Sequence, residues 1–423
     1  MKSKISTRSY VTRQRVRTLM KALLLGLAAL DRNARAQYIL APTPPSPDQT
    51  PVAMQQANAM DVFASPQPQT EAQPFKWKDL TIRPHAYYQF LYADGLKVNT
   101  NQAVNTTIQT ISPGALLELG NHWSLDYSPL WTIYSDRQFS DTFGQAAKLM
   151  GGTTYNDWDF KLIQGYTDVS SPSAETAAQT RQKTYTTTLA GLYTINSKMS
   201  LDLAANQNFV SADQFSSYKE WSTMDWVNYQ FEPRLNAALG VGGGYDREDA
   251  PSPDMTFEQF QGRVGWRATD KISFQLHGGV EVRQFLSGSA NDLVNPIFDA
   301  SIQYQPFEQT RISVIGQRSV SASYMQDQVT ENTSVSADLN QRLLGKLFLD
   351  LSGGYQVVKY VSSANSSTPT RTDDFYSFNV QLSRQFLKRG TVAVLYQISN
   401  DHSTDPGFSF NTHQVGVQIG FSY

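Results

Sequence analysis

From His413 to Tyr423 the chain alternates: Val415, Val417, Ile419, Phe421 and Tyr423 fall on one side, and Gln414, Gly416, Gln418, Gly420 and Ser422 on the other. A period of two means a strand with one apolar and one polar face. The pattern recurs. Trp123, Leu125, Tyr127, Pro129, Trp131 and Ile133 alternate with Ser124, Asp126, Ser128 and Thr132. Ile272, Phe274, Leu276, Val280 and Val282 alternate with Ser273, Gln275, His277, Glu281 and Arg283, and Leu347, Leu349, Leu351, Tyr355 and Val357 with Asp350, Ser352 and Gln356. Each apolar series runs about ten residues, the length of a tilted strand crossing a bilayer. Two folds share this signature. In a soluble sandwich the apolar side is the core; in a membrane barrel it meets lipid and the polar side wets the interior.

Turns organise the strands. Tight ones fall at Gly120-Asn121-His122, Asn156-Asp157, Asn196-Ser197-Lys198, Glu232-Pro233-Arg234, Thr269-Asp270-Lys271, Phe307-Glu308-Gln309, Leu344-Gly345-Lys346 and Lys388-Arg389-Gly390. Their spacing, roughly 40 residues, suits two strands, a short turn and a longer loop. Polar segments such as Ser170–Gln182, Arg247–Asp254, Ser287–Asn291, Ser362–Arg371 and Asp401–Ser409 supply the longer loops. A propeller repeats at a similar period without that short–long alternation. The expectation is an all-β, transmembrane, antiparallel up-and-down barrel of about eighteen strands (16–18), both ends on the short-turn, periplasmic side. The weakest strand covers Asp141–Tyr155, where Gly144, Gly151 and Gly152 dilute the pattern. Arg318 falls on the outward series and is a misfit that a bulge or a place near the outer rim would explain.

Composition favours the barrel. Asp, Arg, His, Gln and Asn sharing one face could not be packed between two sheets without a partner for each. Aromatics reach 12%, with 21 Tyr and 22 Phe. Trp123, Trp158, Trp266, Phe307 and Phe386 gather where strands meet the short turns, as an interfacial girdle does. No apolar run approaches the ~18 residues of a transmembrane helix. A mean hydropathy of -0.41 is compatible with strands that are half wet. A net charge of -2 gives no reason to expect nucleic acid. With 0 Cys there is no disulfide, thiolate metal site or lipidated cysteine.

The N-terminus reads as an export signal over residues 1–36: basic Lys2 to Lys21, apolar Ala22 to Leu30, then Ala34-Arg35-Ala36. Residues 37–77 read as a Pro-rich disordered periplasmic linker, too short for a plug domain, and 78–423 as the barrel.

Candidate chemistry lies on the polar face. Arg83, His85, Asp126, Lys161, Arg263, Arg267, His277, Glu281, Arg283, Asp299, Asp338 and Arg342 are expected to point into the lumen. His277, Glu281 and Arg283 share one face, either as a charged constriction, an acid–base pair or simply a wet wall. Gly240-Val-Gly-Gly-Gly244 lies inside an alternating strand and precedes no helix, so it marks a close backbone approach or a bend and not a dinucleotide loop. None of the 5 His has metal spacing, and no nucleophile elbow or Walker loop appears. No cofactor and no enzymatic activity are expected.

Several stretches resemble one family. Ile111-Ser-Pro-Gly114 through Leu117-Glu-Leu-Gly-Asn-His-Trp-Ser-Leu-Asp-Tyr127, Ala268-Thr-Asp-Lys-Ile-Ser-Phe274 and Ser301-Ile-Gln-Tyr-Gln-Pro-Phe307 look like the putative beta-barrel porin-2 family of Gram-negative outer-membrane proteins. The ending Gly420-Phe-Ser-Tyr423 is similar to the terminal signal, here Phe421 and Tyr423, that such proteins present to the barrel-assembly machinery. The resemblance implies an outer-membrane location after export through the inner membrane, contact with outer-membrane lipid, and a pore. A barrel of this size leaves an aqueous channel unless loops fill it. Both charge signs line the expected lumen, so passive diffusion of small hydrophilic solutes without strong ion selectivity is the first expectation. The others are a non-conducting barrel serving exopolysaccharide export or surface assembly, which the resemblance suggests, and an outer-membrane hydrolase. A homo-oligomer stays open; no outward polar seam argues for one.

Overall fold

A computed structural model of the protein describes residues 75–422, apart from 121, 288–289, 346, 364–368 and 387–388. The export signal, the linker up to residue 74, and Tyr423 lie outside the described residues. So do parts of the segments Ser287–Asn291 and Ser362–Arg371 and of the turns holding Asn121, Lys346 and Lys388.

The elements are β1 (Phe75–Trp77), β2 (Leu80–Asn99), β3 (Gln102–Leu119), β4 (Trp123–Tyr134), β5 (Thr142–Tyr155), β6 (Trp158–Ser173), β7 (Ala178–Thr194), β8 (Met199–Ala212), β9 (Tyr218–Glu232) and β10 (Leu235–Glu248). There follow β11 (Met255–Thr269), β12 (Ile272–Phe285), β13 (Leu293–Phe307), β14 (Thr310–Ala322), β15 (Gln328–Leu344), β16 (Leu347–Ser362), β17 (Pro369–Phe386), β18 (Gly390–Ser403) and β19 (Phe410–Ser422). From β2 to β19 each strand pairs antiparallel with the next, and β19 closes on β2 from His413↔Asp94 to Ser422↔His85. The result is a closed barrel of eighteen strands, with β1 pairing the start of β2. Phe75–Trp77, read as the end of the linker, thus forms β1.

Burial is inverted relative to a soluble sandwich. Along β19 the apolar Val415, Val417, Ile419 and Phe421 are 47%, 39%, 43% and 44% exposed, while Gln414 and Gln418 are each 7% exposed. Amides point inward and hydrocarbon points out. A soluble fold has no reason to make that choice, because burial in water favours apolar surface.

Two aromatic belts bracket the outward face. At the short-turn end Trp158 stacks on Phe160 (5.3 Å) and touches Tyr193 (4.8 Å), and Trp266 stacks on Phe274 (5.5 Å). At the other end rings touch in sequence around the wall: Tyr166–Tyr185 (4.8 Å), Phe209–Trp221 (5.0 Å) and Trp221–Tyr245 (6.1 Å). On β9, Trp221 of one belt and Phe231 of the other lie on the same face. That separation is about 34 Å along the strand, or roughly 25 Å along the axis at a tilt near 40°, the height of a barrel's apolar band. Arg318 does point outward. It donates to Glu331 (3.0 Å) and Thr333 (2.8 Å) on β15, and the ladder is regular around it. The reason is therefore its place near the loop end, with an acidic neighbour, and not a bulge.

Strand ends fall at all eight expected short turns, three of which hold residues outside the described set. Apart from the one at Ser287–Asn291, which lies between Phe285 and Leu293, the opposite loops are shorter than the polar segments suggest, because polar residues continue the ladders. Within Ser170–Gln182, for example, β6 runs to Ser173 and β7 begins at Ala178. The dilute strand exists as β5. Its Gly151 pairs with Trp123 in the wall, where a Cβ would meet the indole at 2.1 Å. The β3–β4 ladder skips the rungs between Ile111↔Trp131 and Ala115↔Tyr127, where Pro113 and Pro129 oppose each other without an N–H to give.

Candidate functional site

The inward series encloses a cavity of about 2240 Å³ lined on every side by the strands. Arg83, Lys161, Arg263, His277, Asp299 and Asp338 line it. Most of these charges are joined to one another. Arg83 donates to Glu118 (2.9 Å), His85 meets Asp126 (3.0 Å), Arg263 donates to Asp202 (2.7 Å), and His277 faces Asp299 (3.5 Å).

Six of the twelve expected lumen residues do not line this cavity: His85 and Asp126, which hold each other, and four that behave otherwise. Arg267 and Arg342 sit at register shifts beside the short turns, between Trp266 and Thr269 and between Arg342 and Leu344. Counting by twos fails across the bulge at Arg267, while Arg342 is still in regular register opposite Phe348. Arg267 is exposed at the rim, and Arg342 turns onto the Gly345 carbonyl. Glu281 and Arg283 point inward but are each only 2% exposed, sealed below the loop end. Arg283 donates to Glu281 (2.9 Å) and Asp246 (2.8 Å) and lies over the Phe257 ring. Glu281 also accepts from Gln259 (2.8 Å), while His277 is held by Gln261 and Asp299. His277 and Glu281 therefore form no acid–base pair.

One inward aromatic organises the middle of the wall. Trp226 on β9 lies against Gly240 on β10, where a Cβ would meet the ring at 2.6 Å. The glycine run thus provides close approach for an indole. The guanidinium of Arg263 covers that indole at 4.6 Å, with His277 edge-on at 6.4 Å. Cation–π contact and the Asp202 bond together fix Arg263 flat on the wall, which keeps its charge from projecting into the path.

The loop end is narrowed. Inward apolar ends of β8, β9, β11, β13, β15 and β16 meet in one cluster, including Val210, Tyr218, Met255, Leu293, Val329 and Val361, joined by Tyr324. Glu175, in the loop between β6 and β7, reaches the opposite wall. The Ser323 hydroxyl (2.6 Å) and the Tyr324 N–H (2.8 Å) donate to its carboxyl, and Arg371 donates to its backbone carbonyl (3.2 Å). Arg371 is itself held between the Tyr360 and Phe408 rings, 3.8 Å from each, and ion-paired with Asp373. Burial pushes the Glu175 carboxyl above the usual carboxylate range, with Asp373 adding to the effect and the Ser323, Tyr324 and Arg371 contacts opposing it. Neither Glu175 nor Trp226 is visible in the alternation. Trp226 counts as one more apolar residue, and a loop carboxylate has no period to betray it.

Residues 248–423 match the family model described as Putative beta-barrel porin 2. The resemblance read over residues 111–127 lies outside that match. No curated protein matches the chain. Among solved structures the chain is similar to Pseudomonas aeruginosa OpdO (TM-score 0.46, 14% identity, 82% of this chain and 97% of that one). It is also similar to P. aeruginosa OpdQ (0.45, 10%, 82% and 99%) and to Acinetobacter baumannii OccAB4 (0.45, 13%, 85% and 100%).

Proposed function

We propose that this chain is an outer-membrane barrel through which small hydrophilic solutes diffuse passively. One observation carries the reading: a closed ring of strands turns hydrocarbon outward and polar side chains onto an internal cavity of about 2240 Å³. Only a bilayer rewards that outward face, and a polar interior too wide for its side chains to fill holds water. The match of residues 248–423 to a porin family supports it. The short-turn end, where both barrel termini lie, faces the periplasm, and the narrowed end faces outside. Residues 1–36 direct export, the Pro-rich segment that follows acts as a linker, and Phe421 with Tyr423 engages the barrel-assembly machinery. No reaction is assigned: most of the lumen's charged groups are engaged with one another.

Planar-bilayer recording on the purified, folded chain tests this reading. Discrete conductance steps in KCl are expected. A barrel that shows heat-modifiable migration yet stays silent across the accessible voltages and pH overturns it.

A further inference from the structure

The lumen is not evenly polar. Between β2 and β13 its wall carries most of the charged groups, largely in pairs. Across β14–β19 only Asp338 is charged among the described residues that reach the cavity. That sector presents amides instead, among them Gln317, Asn379, Gln381, Gln397, Gln414 and Gln418. None of these six side chains has a hydrogen-bond partner among the described residues, and none of their polar atoms is sealed away from the cavity. Ser352, Asn379, Gln397 and Gln414 form one rung across β16, β17, β18 and β19, in direct register. Neighbours on such a rung are about 4.8 Å apart.

We propose that this amide wall selects uncharged, hydroxyl-rich solutes, sugars and polyols, over charged molecules of the same size. The proposal rests on the channel reading. A primary amide offers two donors and a carbonyl acceptor, and a hydroxyl both donates and accepts, so either group satisfies the other in several orientations. A sugar leaving water for this wall exchanges one set of neutral hydrogen bonds for another at nearly equal free energy. Along β17–β19 a carboxylate or ammonium meets no charged side chain: Asp338 stands two strands away on β15, beyond Ser352, Lys148 and Lys161 stand on β5 and β6, and Arg83, Arg263 and His277 are already held by Glu118, Asp202 and Asp299. The ion's lost hydration is not returned. Amides with no protein partner are what a wall of this kind needs, because a paired amide has nothing left to give a passing solute.

The test uses the full chain in liposomes, with glucose, gluconate and protonated glucosamine as permeants of nearly equal size and KCl conductance recorded in parallel. Glucose is expected to enter at least about threefold faster than either charged analogue. Equal rates, or faster charged analogues, in a barrel that conducts KCl overturn the selectivity while leaving the channel intact. A folded barrel silent to KCl and closed to all three solutes overturns the channel reading and this proposal with it. Gln397→Leu with Gln414→Leu should lower glucose flux about threefold to tenfold, the worth of one neutral hydrogen bond, with KCl conductance kept. Should that pair fail to fold, Gln397→Glu with Gln414→Glu keeps size and adds charge. It should then favour glucosamine over gluconate, and an unchanged ratio counts against the amide wall.

Discussion

At the scale of single residues, the wall is built from close approaches that only certain side chains permit. Gly279 on β12 pairs with Gln261 on β11, and a Cβ there would lie 1.8 Å from the Phe260 carbonyl oxygen. Backbone cannot yield as a side-chain tip can, so Gly279→Ala should keep the barrel from closing. Its signature is loss of the heat-modifiable band, and wild-type migration would contradict the clash. Arg263 makes a different point. Its charge is offset by Asp202 and spread on Trp226, so Arg263→Gln removes a cation and leaves an uncompensated carboxylate on the wall. Cation permeability over chloride should rise about twofold to fivefold, read as a reversal-potential shift in a KCl gradient. Which face Arg263 occupies was legible from alternation alone. Its partners were not, because Asp202 and Trp226 come from β8 and β9 and strand register cannot be counted from one sequence. The same limit separates His277 from Glu281: they share a face, yet each is claimed by neighbours on adjoining strands.

At the scale of elements, strands and short turns were readable because each follows a local rule, a period of two or a tight bend. A bulge broke the count at Arg267, whereas Arg342 keeps the regular register opposite Phe348 and is drawn to the rim by the Gly345 carbonyl. The loop between β6 and β7 obeyed no period, and its inward fold emerges only from contacts across the barrel. Those contacts give it a pH dependence. Glu175 is buried against Ser323, Tyr324 and Arg371, with Asp373 and Tyr360 nearby, and its carboxyl is held above the usual range of about 4.5. A group whose folded value is raised contributes docking that is complete below its free value and is lost as pH rises through the raised one. The loop should therefore sit closed in acid and loosen above it, and conductance should rise with pH. Glu175→Ala removes the acceptor of two hydrogen bonds, raising mean conductance about twofold or more and flattening that profile. Glu175→Gln keeps an acceptor that cannot ionise. It should stay closed at every pH, and single-channel open probability from pH 4 to 8 would show otherwise.

At the scale of the whole molecule, alternation alone leaves two folds open because it does not say which side is wet; the mixed charges on the polar face and the aromatic girdle point to the barrel. Closure decides it. Once β19 pairs with β2, the inward side of every strand faces the same enclosed space, and that side is the one carrying Gln, Asn, Ser and the charges. The aromatic belt at the short turns was foreseeable, since turn residues mark where strands end. The belt at the loop end was not, since Tyr185, Phe209, Trp221 and Tyr245 align only through register. The chain has 0 Cys, so single cysteines can report environment without background. Val417→Cys and Gln418→Cys differ by one residue but point to opposite sides of β19. A charged, membrane-impermeant thiol reagent added to reconstituted barrels should modify position 418 and leave 417 unreacted. The rate ratio should exceed about tenfold, because thiolate chemistry requires water and hydrocarbon excludes it. Equal labelling of both positions by the charged reagent would mean the outward face also meets water, and the bilayer placement would fail with it.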